Sequence, residues 1–284
     1  MITISINPVA FAIGPISVRW YGIMVAVAVL VIILWLLREV RKGAKLSSDT
    51  VFMAALVGIP SGIVVSRLLH IIDEIVIAKL HPELALIGDV IDYTQHPELI
   101  VGASGLTIYG AVLGAALGIW IYSRFSHFRF GYFADVVAPA VVLAQAIGRV
   151  GCTINGCCYG TKTSLPWGIV YENEASYGYA ASQALPEGMG LHPTQVYEII
   201  FLLVIFVVLL KLRGRLKPEG SIFLIYLSLY ALWRVGIDFL RDGMPFLFGL
   251  HQAQVIAIII LAICIPLLAL RTRWVRAEVI PAEG

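Results

Sequence analysis

Apolar runs of about 20 residues, each long enough to cross roughly 30 Å of hydrocarbon, recur at about seven places along this sequence. They fall near residues 20–37, 51–71, 106–122, 133–150, 196–212, 221–240 and 252–270. Backbone placed in lipid has to satisfy its own polar groups, which leaves helices or a closed barrel. Runs of this length without strict alternation select helices. The expected fold class is an all-α polytopic membrane protein with about seven transmembrane helices, the third and fourth interrupted by glycine or proline. Composition points the same way: 60% of the 284 residues are hydrophobic, 13% are charged, and mean hydropathy is +0.90. Soluble chains carry about a quarter charged residues.

Basic residues set the orientation. Arg38, Arg41, Lys42 and Lys45 follow the first run, Arg124 and Arg129 the third, Lys211, Arg213, Arg215 and Lys217 the fifth, and Arg271, Arg273 and Arg276 the seventh. The intervening connections hold only Lys79, Lys162 and Arg241. This alternation puts the N-terminus outside, the C-terminus in the cytoplasm, and the long connections 72–105 and 151–195 on the extracytoplasmic side. Residues 1–18 carry neither a basic n-region nor a small-residue cleavage site, so no removable signal peptide is expected. The chain reads as one integral membrane domain, 1–284, with 151–195 as an extracytoplasmic head segment between spans four and five. No basic-aromatic surface suggests nucleic acid.

With this topology, Tyr21, Arg67, Tyr109, Arg149, His192, Glu198 and Arg234 gather near the outer ends of six spans, which predicts a polar chamber open to the outer leaflet. Charges at that depth are costly and are retained for an ion, an anionic head group or a partner charge. Arginines without carboxylates at their own level call for an anion, and guanidinium holds phosphate through paired hydrogen bonds. A plainer reading pairs Arg234 with Asp238 four residues on and lets Arg67 snorkel to the surface.

The stretch Gly148-Arg149-Val150-Gly151-Cys152-Thr153-Ile154-Asn155-Gly156-Cys157-Cys158-Tyr159-Gly160 reads as a span end followed by a glycine-rich turn with three of the four cysteines. A Cys152–Cys157 disulfide bracing Arg149 is one expectation in an oxidising compartment. Small packing residues, a redox or acyl-carrying nucleophile and a metal site are the others, although the spacing lacks the paired C-x2-C pattern. Cys264 reads as packing, and His70, His81, His96, His127 and His251 at loops or span ends are given no role. Gly110, Gly114 and Gly118 have small-xxx-small spacing, which predicts a close helix contact.

At these residues the chain resembles the prolipoprotein diacylglyceryl transferase family. Arg19-Trp20-Tyr21-Gly22-Ile23-Met24 is similar to H-W-Y-G-L-M, and Gly105-Leu106-Thr107-Ile108-Tyr109-Gly110 to G-[ML]-S-F-H-G. Residues 148–160 match G-R-x-G-N-F-x-N-x-E-x-x-G in their glycines, Arg149 and Asn155. His192-Pro193-Thr194-Gln195-Val196-Tyr197-Glu198 is close to H-P-[ST]-Q-L-Y-E, and Trp233-Arg234 through Arg241 resembles F-R-x-x-x-E-x-x-R.

The resemblance implies transfer of the diacylglyceryl group of phosphatidylglycerol to the lipobox cysteine thiol in the signal peptide of a preprolipoprotein, in the membrane bilayer of a bacterial inner (cytoplasmic) membrane. A thioether forms and glycerol phosphate leaves, with no cofactor and no metal. Its catalytic candidates are Arg149, Arg234, Tyr109 and Tyr21. Its substrate-binding candidates are Arg149, Asn155, Gly160, His192, Glu198 and Arg241. Three positions depart from the pattern: Tyr109 stands for histidine, Cys152 for asparagine and Cys157 for glutamate. A phenol with a pKa near 10 is no neutral-pH base unless the arginines shift it. Two other readings follow from those departures: a membrane thiol oxidoreductase using the cysteines, and a catalytically inactive phospholipid-binding relative.

Overall fold

The computed structural model describes residues 1–14, 16–80, 93, 108–126, 128–241 and 246–275. Contacts divide the chain into two units, Met1–Glu39 with Gly131–Gly284, and Val40–Phe130.

In the larger unit, β1 (Ile2–Ile4) and the hairpin β2 (Val9–Ile13) and β3 (Ile16–Arg19) precede α1 (Trp20–Arg41). The smaller unit holds α2 (Ser48–Leu80) and α3 (Ile108–Phe125). Then come α4 (Phe130–Asn155), a head segment with β4 (Lys162–Thr163), β5 (Ile169–Tyr171), α5 (Tyr179–Gln183) and β6 (Gly190–Leu191), and α6 (Thr194–Leu212). Strand β7 (Leu216–Lys217), α7 (Ser221–Ile237), α8 (Gln252–Arg271) and β8 (Arg273–Trp274) complete the order. Six of the helices are long and apolar enough to span a membrane, and Gly110–Phe125 is a shorter apolar one. The protein is a multi-pass membrane protein.

Two boundaries differ from the sequence reading. Helix α2 runs to Leu80 rather than stopping near 71. Helix α4 continues through Cys152 to Asn155, so the first half of the expected turn is helical. The all-α expectation also omits a small sheet of order β1-β5-β6-β4, in which Ile2, Thr3 and Ile4 pair in parallel with Ile169, Val170 and Tyr171.

Helices α4, α6 and α7 share a core built on helical spacing. Ala138 and Val142 from α4 meet Leu202, Ile205 and Leu209 from α6 and Tyr226 from α7. At the other end of α4, Asp135 accepts from the backbone N–H groups of Gly220 (2.7 Å) and Phe223 (3.0 Å). It thus supplies an acceptor, and a negative charge, to the unsatisfied first turn of α7. Arg213 at the end of α6 pairs with buried Glu39 of α1. His251, given no role from sequence, caps α8 in a reciprocal box with Gln254.

In the smaller unit, a Cβ on Gly114 would collide with the Ser61 carbonyl and one on Gly118 with the Ser61 hydroxyl. The small-residue spacing of α3 is therefore the seam that admits α2.

Candidate active site

The apolar stripes that build the core turn polar at one end. On α6, Leu209, Ile205 and Leu202 lead along one face to Glu198 and Gln195, both buried. On α4, Ala138 and Val142 lead at three- and four-residue steps to Arg149 and Cys152. On α7, Tyr226 leads through Tyr230 to Arg234, and Asp238 follows. Packing the three faces together carries these polar groups to one place.

There, Arg149 Nη2 lies 2.9 Å from Glu198 Oε1, and the Tyr230 hydroxyl donates to the same oxygen at 3.0 Å. Arg234 Nη1 is 3.9 Å from Glu198 Oε2, while its Nη2 is 2.8 Å from Asp238 Oδ1. Arg241 Nη1 is 3.8 Å from the same Asp238 oxygen. The expectation that the arginines lack carboxylates at their own level is corrected here. Glu198 lies on the buried stripe of α6 rather than flanking it, and Asp238 sits in the 3-10 turn that ends α7. Three guanidiniums against two carboxylates still leave one positive charge.

Helix α4 ends in a Schellman motif. Gly156 takes φ 71° and the Cys157 N–H returns to the Cys152 carbonyl at 3.2 Å, which folds Cys157 back over Cys152. Cys158 follows at φ 64°, a conformation uncommon for any residue with a side chain. The three Sγ atoms then lie within 4.8 Å of one another. All three are free thiols in this structure. Arg149 Nη1 approaches Cys152 Sγ at 3.9 Å, and Asn155 Nδ2 approaches Cys157 Sγ at 3.7 Å. Hydrogen bonds from the Cys152 and Cys157 thiols, aided by Arg149 and Arg241, hold the Cys158 thiol well below its ordinary range.

Side chains absent from the sequence-derived candidates hold this segment in place. Gln195 Nε2 donates to the Cys157 carbonyl at 2.7 Å and to the Tyr171 hydroxyl at 3.3 Å. The Thr194 hydroxyl donates to the Cys158 carbonyl at 2.6 Å. Gln195 was legible as the residue three before Glu198 on one helix face; Tyr171, fully buried in a three-residue strand, carried no such signal.

Other candidates make contacts within the surrounding structure. Asn155 is buried and accepts from Arg19 Nη1 at 3.0 Å. Gly160 bonds through its backbone to the His192 carbonyl, and a Cβ there would strike the Leu240 carbonyl. The His192 ring stands 3.3 Å from the Tyr197 hydroxyl. Tyr21 packs through its backbone against Gly151, 3.1 Å from where a Cβ would lie. The Tyr109 side chain, His81, His96 and His127 lie outside the described residues. Arg67 belongs to the smaller unit, its guanidinium 5.5 Å above the Tyr93 ring.

A cleft of about 770 Å³ opens beside the cluster, walled by Cys157, Cys158, Thr161, Lys162, Tyr177 and Arg241 among others. Its lining combines cations, thiols and aromatic faces.

A family model described as prolipoprotein diacylglyceryl transferase matches residues 8–270. The chain belongs to the prolipoprotein diacylglyceryl transferase family. It is 45% identical over 273 residues to a Dehalococcoides mccartyi protein named phosphatidylglycerol–prolipoprotein diacylglyceryl transferase, covering 96% of either chain. Proteins of the same name from Clostridium tetani and Clostridioides difficile are 33% and 32% identical, covering 83% and 88% of this chain and 85% and 90% of their own. The prolipoprotein diacylglyceryl transferase match takes in every residue of the ion-pair cluster and all three clustered cysteines.

Proposed function

We propose that this chain transfers the diacylglyceryl group of phosphatidylglycerol to the lipobox cysteine thiol of a preprolipoprotein, forming a thioether and releasing glycerol phosphate. The observation that carries the reading is the partly compensated chain Arg149, Glu198, Arg234, Asp238 and Arg241 beside the cleft. A phosphodiester arriving there meets the surplus positive charge.

The reaction is displacement at a glycerol carbon. Sulfur forms the new bond, the carbon–oxygen bond to phosphate breaks, and its electron pair leaves with the phosphate. Arg149 and Arg234, held in place by Glu198 before substrate arrives, take up the developing charge without reorganising. Tyr21 orients the head group and Arg241 draws it into the cleft. Asn155, Gly160 and His192 support the surrounding backbone rather than touch the phosphate. The site faces outward in a bacterial cytoplasmic membrane, with the N-terminus outside and 151–195 as the extracytoplasmic part of a single integral domain.

The test is transfer from phosphatidylglycerol to a lipobox peptide in detergent or nanodiscs. Wild type forms the thioether peptide, and Arg149→Ala and Arg234→Ala each lower kcat/KM by about 100-fold or more, the range seen for losing one charge-stabilising group. Full activity in Arg149→Ala would sink the assignment of phosphate to this cluster.

A further inference from the structure

The three thiols have no role in the reaction as written. They converge from a helix end (Cys152), the residue after its left-handed cap (Cys157) and a strained neighbour (Cys158), and their sulfurs lie within 4.8 Å of one another. Packing alone does not require three polarisable groups at one point, and a disulfide would use only two of them. Zinc held at Zn–S distances of about 2.3 Å in tetrahedral geometry spaces its sulfurs about 3.8 Å apart, so the cluster needs to contract by at most about 1 Å to grip an ion.

We propose that Cys152, Cys157 and Cys158 bind a thiophilic divalent cation, zinc by its chemistry, whose fourth position is open to the substrate thiol. Soft sulfur ligands select zinc over magnesium or calcium. Three thiolates around a 2+ ion carry one net negative charge, which balances the surplus positive charge of the arginine cluster through Arg149 Nη1, 3.9 Å from Cys152 Sγ. The phosphate is then held by guanidinium hydrogen bonds rather than by net charge. The Asn155 amide, 3.7 Å from Cys157 Sγ and itself fixed by Arg19, aims a second donor at the ligands. Such partners orient metal ligands. Cys152 is buried while Cys157 and Cys158 wall the cleft, so the fourth position is reachable from the cleft.

Metal binding by the trio stands by itself; the identity of the fourth ligand rests on the transferase reading. The lipobox thiol binds the ion and loses its proton to water in the cleft, because a coordinated thiol is deprotonated outright. The bound thiolate supplies the electron pair for the carbon–sulfur bond, and the phosphate leaves with the pair of the broken carbon–oxygen bond. A neutral thioether is a weak ligand, so the product releases the metal. With Tyr109 in the third-span motif, this arrangement gives the thiol's proton a route that uses no protein base.

The experiment uses the full chain, purified without thiol reductants and loaded with zinc or cobalt. The expected result is about one metal per chain by elemental analysis, a near-ultraviolet thiolate-to-cobalt band, and loss of both in Cys152→Ser, Cys157→Ser and Cys158→Ser. A lipobox peptide shifts the cobalt spectrum, while the same peptide with serine for cysteine does not. Transfer falls at least about tenfold in the serine variants and returns to stripped wild type with zinc. Wild type that takes up no metal, or that carries a Cys152–Cys157 disulfide as isolated, overturns the site. A cobalt band indifferent to the peptide thiol overturns the open fourth position. Transfer undiminished in metal-free wild type overturns the metal's part and leaves the transferase standing. Stoichiometric metal with no transfer does the reverse. The wild-type cobalt band decides the site even if a serine variant fails to fold.

Discussion

Arg149 and Glu198 form an ion pair of 2.9 Å between the last turns of α4 and the second turn of α6, with side chains only 13% and 3% exposed. Removing one member of a buried pair strands the other, at a cost of about 3–5 kcal/mol. Glu198→Ala removes the carboxylate that Arg149 pairs with, while Arg234 keeps its pair with Asp238. Glu198→Gln retains an oxygen for Tyr230 and costs less. Denaturant unfolding of both variants in detergent checks this, and equal losses would argue against charge compensation as the carboxylate's role.

Gly160 and Gly148 lie in the same motif and are expected to respond oppositely to alanine. At Gly160 the new methyl meets the Leu240 carbonyl, His192 and Thr194, whereas at Gly148 nothing lies within 4 Å. Gly160→Ala therefore loses about 1–3 kcal/mol through overpacking, and Gly148→Ala gains up to about 1 kcal/mol of helix propensity. Melting temperatures measured side by side test the contrast.

Asp135 caps a helix on which it does not lie. Asp135→Ala leaves the Gly220 and Phe223 N–H groups without their acceptor and lowers stability by about 1–2 kcal/mol. Asp135→Asn, which keeps one oxygen, loses less. Faster amide exchange at 220–223 would locate the effect.

Burial, with nearby Cys157, raises the Tyr171 phenol above its ordinary value. The unfolded chain ionises this group near pH 10 while the folded chain keeps it protonated. Its contribution is therefore fully present below about pH 10 and is lost as pH rises toward the folded value. Tyr171→Phe flattens that alkaline decline, measured as unfolding midpoint from pH 8 to 11. An unchanged slope would exclude Tyr171 as its source.

Arg241 lines the cleft and is the outermost cation of the cluster. Arg241→Ala raises KM for phosphatidylglycerol about tenfold, with kcat within about twofold, as expected for a binding contact worth a charge-assisted hydrogen bond. A fall confined to kcat would move Arg241 from capture to chemistry.

The spans were legible because a hydrocarbon slab imposes one length and one polarity on whatever crosses it. Arg149 and Arg234 stood out for the same reason, as charges such a slab rarely tolerates. Glu198 was visible, but its role was not: a residue at a helix start reads as a flank until packing shows which face it shares with Leu202 and Ile205. The strands of the four-stranded sheet were invisible because two- and three-residue segments show no period, and β1 finds its partner only in β5, more than half the chain away. Cys152 was misplaced into a turn because its glycine neighbours suggested one, whereas the helix runs on and only Gly156 stops it.

That distant pairing of Ile2–Ile4 with Ile169–Tyr171 governs the order of assembly. During synthesis the first strand emerges with an open edge and waits through more than half the chain before its mate exists. Until then it is a loose end available to any extended peptide nearby. The sheet closes only once the head segment has been made, which ties the start of the chain to its later half. A protease or a biotinylating reagent reaching the first few residues would report that moment on a nascent chain.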